Sequence, residues 1–584
     1  MTMNKNEYSL MIKRAADLNS QRKEIIAMPP EKAIDRILEA KHPAALVHSF
    51  PEEDFYFLIN DIGIYDAFEL LNLASEKQWE YILDVELWEK DRIEINSVTK
   101  WLDILFQVDP ARLAKWAADK KTDFIEFYLY KTIKVAIRDH DQVPSDLGND
   151  FITFDDVFYF KLVDNYGYES YDPDMEPVEE TYKEHKKDFI INMLEKIAEY
   201  DHIKYQNILL EAMTVVPYEM EEEFYRLKNV RLSEKGFLPI DEAAGIYASL
   251  KPDSITARKK PLKKSNKNTP FIPLPLYPLK MLKEDNLFSM SLKTIDIGET
   301  LQKIQTEFAT LCNRIISADQ NIIKSKDELK DIVKKACGYL SIGIERLMTQ
   351  NQITDTANAA TIISTYNLEH IFRTGFSLAL GLKERTKKWL TRAWFMKQGL
   401  TLSFWDEEWM GVLGALLIKK PLYFDKQKNG HIYREFFSLS DIVESRKVLE
   451  EVISFDDLIS LMNIDIKQAK SQHLNHKKLV LTLFARYCIG LPEEPLPIFL
   501  DDFKRFFKTL WKGKGKNRKI DILVKESFLN WVCTKTGLKP IEITEQLGRV
   551  FENMFIEIEN EYSMVAISDL DTRYINLFLV QKKK

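Results

Sequence analysis

The chain has 584 residues, of which 45% are hydrophobic and 12% aromatic, enough for packed cores and incompatible with global disorder. That length predicts roughly two to four domains, and no apolar run reaches the ~20 residues that span a bilayer. The net charge of −8 conceals two unlike halves, −21 over residues 1–250 and +13 over residues 251–584.

Residues 1–28 read as one N-terminal helix that lacks the continuous apolar core of a signal peptide. Residues 29–143 then form a run of short amphipathic units. Pro29-Pro30, Pro43, Pro51 and Asp109-Pro110 open four of them, since proline has no N–H to leave unbonded at a helix start. Ser75 and Gln78 have the spacing of a capping box. Trp79, Ile82, Leu83 and Leu87, and later Leu113, Trp116 and Ala117, recur at helical spacing, so each unit buries one stripe. Helices this short do not stand alone in water and must lean on their neighbours. The expected fold is mainly α, beginning with an α-solenoid-like array of helical hairpins.

Residues 144–250 read as a small α+β unit with an acidic loop. Asp150–Asp164 is rich in β-branched and aromatic residues and predicts a strand pair, or a strand followed by a helix. Asp172, Asp174 and Glu176 alternate like the first ligands of a calcium loop. Pro177 stands where such a loop needs glycine, so a solvated loop is the better reading. Helices resume near Glu179; Gly236 stops one and Asp241 begins another. From 251 to 281, six prolines and the basic run Arg258–Lys267 predict an extended linker.

Residues 282–490 read as a helical domain, with apolar 3/4 spacing over 297–313, 326–348, 356–382 and 442–461. Glu369 and Arg373 are i,i+4 neighbours with His370 between them, a candidate polar cluster for which a surface ion pair is the simpler reading. Trp405 and Trp409 flank three carboxylates, and an acidic helix start explains them as well as a ligand-binding lip does. His473 and His476 lack a patterned carboxylate, so no metal is assigned. Residues 491–584 read as a helical subdomain ending in a strand over 573–580. Its tract FKRFFKTLWKGKGKNRK (503–519) places Phe503, Phe506, Phe507, Leu510 and Trp511 on one helical stripe, read as core. Lys512, Lys514, Lys516 and Arg518 remain in the following turn as candidate contacts for an anion or a partner.

Cys312, Cys337, Cys488 and Cys533 are scattered, which favours a reducing compartment and a cytoplasmic protein. The chain carries no phosphate-binding loop, no dinucleotide fingerprint and no nucleophile elbow. No cofactor and no catalytic residue follow from the sequence, which leans against an enzyme, although a site assembled from distant residues leaves no local trace.

The segments WEYILDVELWEKDR (79–92), DPARLAKW (109–116), RLSEKGFLPIDEAAGIY (231–247), ACGYLSIGIERL (336–347) and LEHIFRTGF (368–376) resemble a bacterial family described only as a domain of unknown function. The likeness spans nearly the whole chain and implies a bacterial, intracellular protein without supplying an activity. The array alone also resembles the cytoplasmic superhelical domain of MgtE magnesium transporters; that family's membrane domain has no counterpart here, and its ion-sensing role is not implied. The resulting expectation is a non-catalytic scaffold that binds a protein partner and spans no membrane. Association with nucleic acid through the basic half is the alternative, and a hydrolase or transferase with a dispersed carboxylate/histidine site is the second.

Overall fold

The computed structural model describes the chain outside residues 1–4, 90, 140, 149, 164–178, 259–277, 279–281, 283–285, 296–298, 321–322, 324–325, 351–357, 427–432, 467–473, 514–517 and 584. The fold is mainly α, with only small sheets among the described residues. Asp172, Asp174, Glu176 and Pro177, the centre of the expected linker, His473, Lys514 and Lys516 lie outside the described residues.

The N-terminal helices are α1 (Lys5–Ala27), α2 (Pro30–Leu38), α3 (Pro43–Ser49), α4 (Glu52–Ile62), α5 (Phe68–Leu73), α6 (Glu76–Glu86), α7 (Ile95–Val108), α8 (Pro110–Lys120) and α9 (Thr122–Thr132). Each packs on helices one or two places along the chain, so short elements gain order from their neighbours. Their starts follow local chemistry. Pro30, Pro43 and Pro110 occupy first positions, Pro51 precedes α4, and Ser75 and Gln78 make both bonds of the capping box. Behind that cap, Trp79 is fully buried, donates from Nε1 to Leu71 O at 2.9 Å and meets Trp116 edge-on. Arg112 closes over the same indole at 4.0 Å, tying α5, α6 and α8 together.

After α6, β1 (Trp88–Glu89) and β2 (Arg92–Ile93) form a two-residue hairpin. β3 (Ile133–Ile137), β4 (Ile152–Thr153) and β5 (Phe158–Leu162) form an antiparallel sheet in the order β3-β5-β4. β4 and β5 are the expected strand pair. β3 falls in the stretch read as helical. Its residues IKVAI are largely β-branched, and all five find partners along β5, which outweighs continuation of α9.

α10 (Glu179–Tyr200), α11 (His202–Ala212) and α12 (Pro217–Ser233) follow, then the short α13 (Ile240–Ala243). The C-terminal half holds α14 (Leu287–Lys293), α15 (Glu299–Asp319), α16 (Lys326–Gln350), α17 (Ala359–Thr365), α18 (Leu368–Leu390), α19 (Trp394–Lys397) and α20 (Glu407–Leu417). It continues with hairpin β6 (Tyr423–Phe424) and β7 (Tyr433–Arg434), α21 (Leu439–Leu461), α22 (His476–Cys488), β8 (Ile498–Phe499) and α23 (Leu500–Thr509). Hairpin β9 (Trp511–Lys512) and β10 (Lys519–Ile520), α24 (Ile522–Thr536), α25 (Pro540–Tyr562) and β11 (Val580–Gln581) complete the chain. β11 runs parallel to β8 and is shorter than the strand expected over 573–580, because residues 572–574 turn as a 3-10 helix capped by Asp571.

The continuous helix expected over 356–382 is instead broken between α17 and α18. Arg258 donates to Tyr366 O at 2.9 Å and to Ile363 O at 3.3 Å, while its partner Glu307 accepts the Leu368 N–H at 3.4 Å. Backbone groups that a break would leave unbonded are thereby satisfied. Among the described residues no helix is long and apolar enough to cross a membrane. None of the four cysteines forms a disulfide, and Cys312 and Cys337 are buried.

Candidate functional site

Most buried charges here are matched. Lys335 lies 3.0 Å from Asp319 and 2.8 Å from Glu435, Tyr247 donates to Asp319 at 2.6 Å, and Tyr339 donates to Glu435 at 3.0 Å. Lys235 reaches Glu52 and Glu53 at 2.6 and 3.1 Å, and Lys383 donates to the carbonyls of Ile418 and Lys419. Such networks fix packing and leave little for a ligand.

The exception lies beneath α12. Among the described residues of this helix none is fully buried, so it is held at discrete points instead of by a continuous apolar face. Glu221 accepts the Ile93 N–H at 2.8 Å and pairs with Arg92 at 2.9 Å. Phe224 meets Phe124 and Phe127 edge-on, and Arg231 grips Asp84 with two hydrogen bonds of 2.8 and 2.7 Å. Past its end, Lys235 O accepts from Asn313 of α15 at 2.8 Å, tying this segment to the C-terminal half.

Two cavities of about 370 Å³ flank these anchors, and Asp84 and Trp88 line both. The first runs between α6, α8, α9 and α12, where Trp116, Phe124 and Phe224 face Glu80, Lys121 and Arg231. The second lies on the other side of α12, between Tyr56, Tyr81, Trp88 and Tyr225 of the N-terminal half and Ile316 and Ile323 beyond the linker. Lys228 enters it. Its Nζ sits 4.6 Å from the centre of the Trp88 ring and 5.6 Å from that of Tyr225, with no hydrogen bond or ion pair among the described residues.

Electrostatics follow from that placement. Burial pulls the Lys228 ammonium down to about 8, with the more distant Asp84 charge opposing it. Burial likewise pushes the Asp84 carboxyl above its ordinary range, against the two bonds from Arg231. An amine so placed can hold an anion or, once deprotonated, attack a carbonyl carbon.

The residues singled out from sequence lie elsewhere. Glu369 pairs with Arg314 and lies 3.8 Å from Arg373, whose Nε donates to Ala248 O at 3.2 Å. His370 does not join them; its Nδ1 is buried without a hydrogen-bond partner among the described residues. Phe503, Phe506, Phe507 and Leu510 are buried, and Lys512 is exposed opposite Lys519 in the β9–β10 hairpin. Arg518 turns inward, stacking at 4.3 Å on Trp511 and donating to Tyr562 O and Val565 O at 2.7 Å each, at the end of α25. Trp405 and Trp409 are buried around His476, so they form no lip. Among the described residues no group of His, Cys, Asp or Glu is placed to hold a metal ion. Lys228 had one faint sequence signal: Arg226, Lys228, Arg231 and Lys235 make a cationic stripe within an otherwise acidic half.

No curated protein and no solved structure matches the chain, so the likeness of its array to the magnesium-transporter domain rests on helix pattern alone. The family of unknown function DUF6178 matches residues 11–581, and the chain belongs to it.

Proposed function

We propose that the protein is a non-catalytic, cytoplasmic interaction protein that docks a basic, partly apolar segment of another protein on the outer side of α12. One observation carries the reading: a surface groove of about 670 Å³ in which Glu219, Glu222 and Glu242 surround Val230, Leu238 and Pro239, with Glu223 beside them held by Arg226. Exposed Tyr218 and Val216 extend its apolar character at the start of the helix. Three carboxylates not taken by Arg226 around apolar side chains favour a cationic, amphipathic partner, and they disfavour nucleic acid at this face. Four cysteines outside any disulfide support a reducing compartment. Affinity capture from the native cell with quantitative mass spectrometry tests the reading. A partner retained by the wild-type chain will be lost from Glu222→Lys/Glu223→Lys, with the unfolding midpoint unchanged; an identical set of captured proteins contradicts it.

A second reading, contact with nucleic acid through the basic half, is favoured by Lys512 facing Lys519 across the β9–β10 hairpin. Like charges directly opposed are unfavourable unless an anion lies between them. Salt-sensitive retention of the full chain on heparin, lost in Lys512→Gln/Lys514→Gln/Lys516→Gln, would establish it. Unaltered retention removes it. Arg518 is left out of that variant because its loss would free two carbonyls.

A further inference from the structure

We propose that the cavity between α12 and the C-terminal half binds a small monoanionic carboxylate with an apolar body, its head at Lys228 and its body along Leu232, Phe237 and Ile240. The proposal does not depend on the docking groove, which adjoins the cavity along α12 and shares Tyr225, Asn229, Leu238 and Pro239 with it.

Three observations carry it. The cavity has the size of small-molecule sites, about 370 Å³, and is walled mainly by apolar and aromatic side chains. Its cation is half-buried, lies over the Trp88 and Tyr225 rings and has no anionic partner within bonding distance among the described residues. Lys235, also half-buried, and the buried Lys335 each hold two carboxylates. A ligand carboxylate would supply for Lys228 what the protein supplies for those two.

Charge balance selects the ligand class. Arg231 already occupies the Asp84 carboxylate, so Lys228 contributes one uncommitted positive charge. Glu89 lines the same cavity and opposes any second negative charge on the ligand. A phosphate monoester is therefore disfavoured against a carboxylate. Leu232, Phe237 and Ile240 leave apolar surface open in the cavity, and only an apolar ligand body gains by covering it, which disfavours a small hydrophilic acid.

The test uses the full chain and two fluorescent probes of similar shape, anionic 1-anilinonaphthalene-8-sulfonate and neutral N-phenyl-1-naphthylamine, with decanoate as competitor. The sulfonate will bind saturably at one per chain, and decanoate will displace it. Lys228→Met will weaken the sulfonate roughly tenfold, as expected for loss of one charge-assisted contact. The same variant will leave the neutral probe within about twofold, and Lys228→Arg will keep both. Ser317→Trp, which fills the cavity, will abolish both, provided its far-UV spectrum and unfolding midpoint match the wild type. Sulfonate binding that is absent, or indifferent to Lys228→Met or to a folded Ser317→Trp, overturns the proposal. Displacement by octyl phosphate at lower concentration than decanoate would overturn the choice of carboxylate.

Discussion

Gly375→Ala will lower the unfolding free energy by about 2–3 kcal/mol, read as a reduced urea midpoint of the full chain. α16 and α18 cross so closely that their backbones touch. A Cβ on Gly375 would lie 2.1 Å from Tyr339 O, and one on Gly343 would lie 2.1 Å from Ile371 O. Alanine favours a helix over glycine by about 1 kcal/mol, so an uncrowded site would be stabilised by the change. Here the obstruction is backbone that cannot rotate away. The helices must separate, at a cost near the upper end of the 1–3 kcal/mol typical of overpacking. Gly343→Ala will act alike, and the double variant will lose less than the sum because both relieve one crossing. A Gly375→Ala chain as stable as wild type would mean that the two helices do not meet in this way.

The second large effect is a pH dependence centred on His476. Its imidazole is buried, stacked on Trp409 at 4.6 Å and enclosed by Phe455 and Trp405, and its Nδ1–H donates to Phe404 O at 3.3 Å. Desolvation lowers it to about 4; Asp406 opposes that shift and Lys477 adds to it. Unfolded, it titrates near 6.5. Between those values the unfolded chain binds a proton that the native chain refuses, so stability falls as pH falls. The contribution is fully present above pH 6.5, declines by about 1.4 kcal/mol at pH 5.5 and by about 3 kcal/mol near pH 4. His476→Phe removes the group. The difference between wild type and variant, measured by urea unfolding from pH 7 to 4.5, will therefore shift in the variant's favour as the solution is acidified. A difference independent of pH would place His476 in water.

What the sequence revealed divides by the range of the forces involved. Helix starts were legible because caps act within one turn: Ser75 with Gln78, Asp109 with the Arg112 N–H, proline at positions 30, 43 and 110. β3 was not, since IKVAI continues a helical stretch and becomes strand only when β5 supplies partners. The break before Leu368 depends on Arg258, far earlier in the chain. Arg518 read as an exposed cation, yet the end of α25 takes it. Lys228 escaped for the same reason: its surroundings come from residues 56–88 and 316–323, which no local pattern joins to α12. ACGYLSIGIERL and LEHIFRTGF, two of the tracts that carry the family likeness, contain Gly343 and Gly375, where the helices touch.

Reductive methylation of the lysines with [13C]formaldehyde, followed by NMR titration of the full chain, interrogates the cleft beneath α12 most directly. One dimethyl-lysine resonance, absent from Lys228→Arg, should titrate near pH 8, well below the rest. If every lysine resonance instead titrates at or above pH 10, the ammonium is in water, and Lys228 is not the half-buried, unneutralised cation described above.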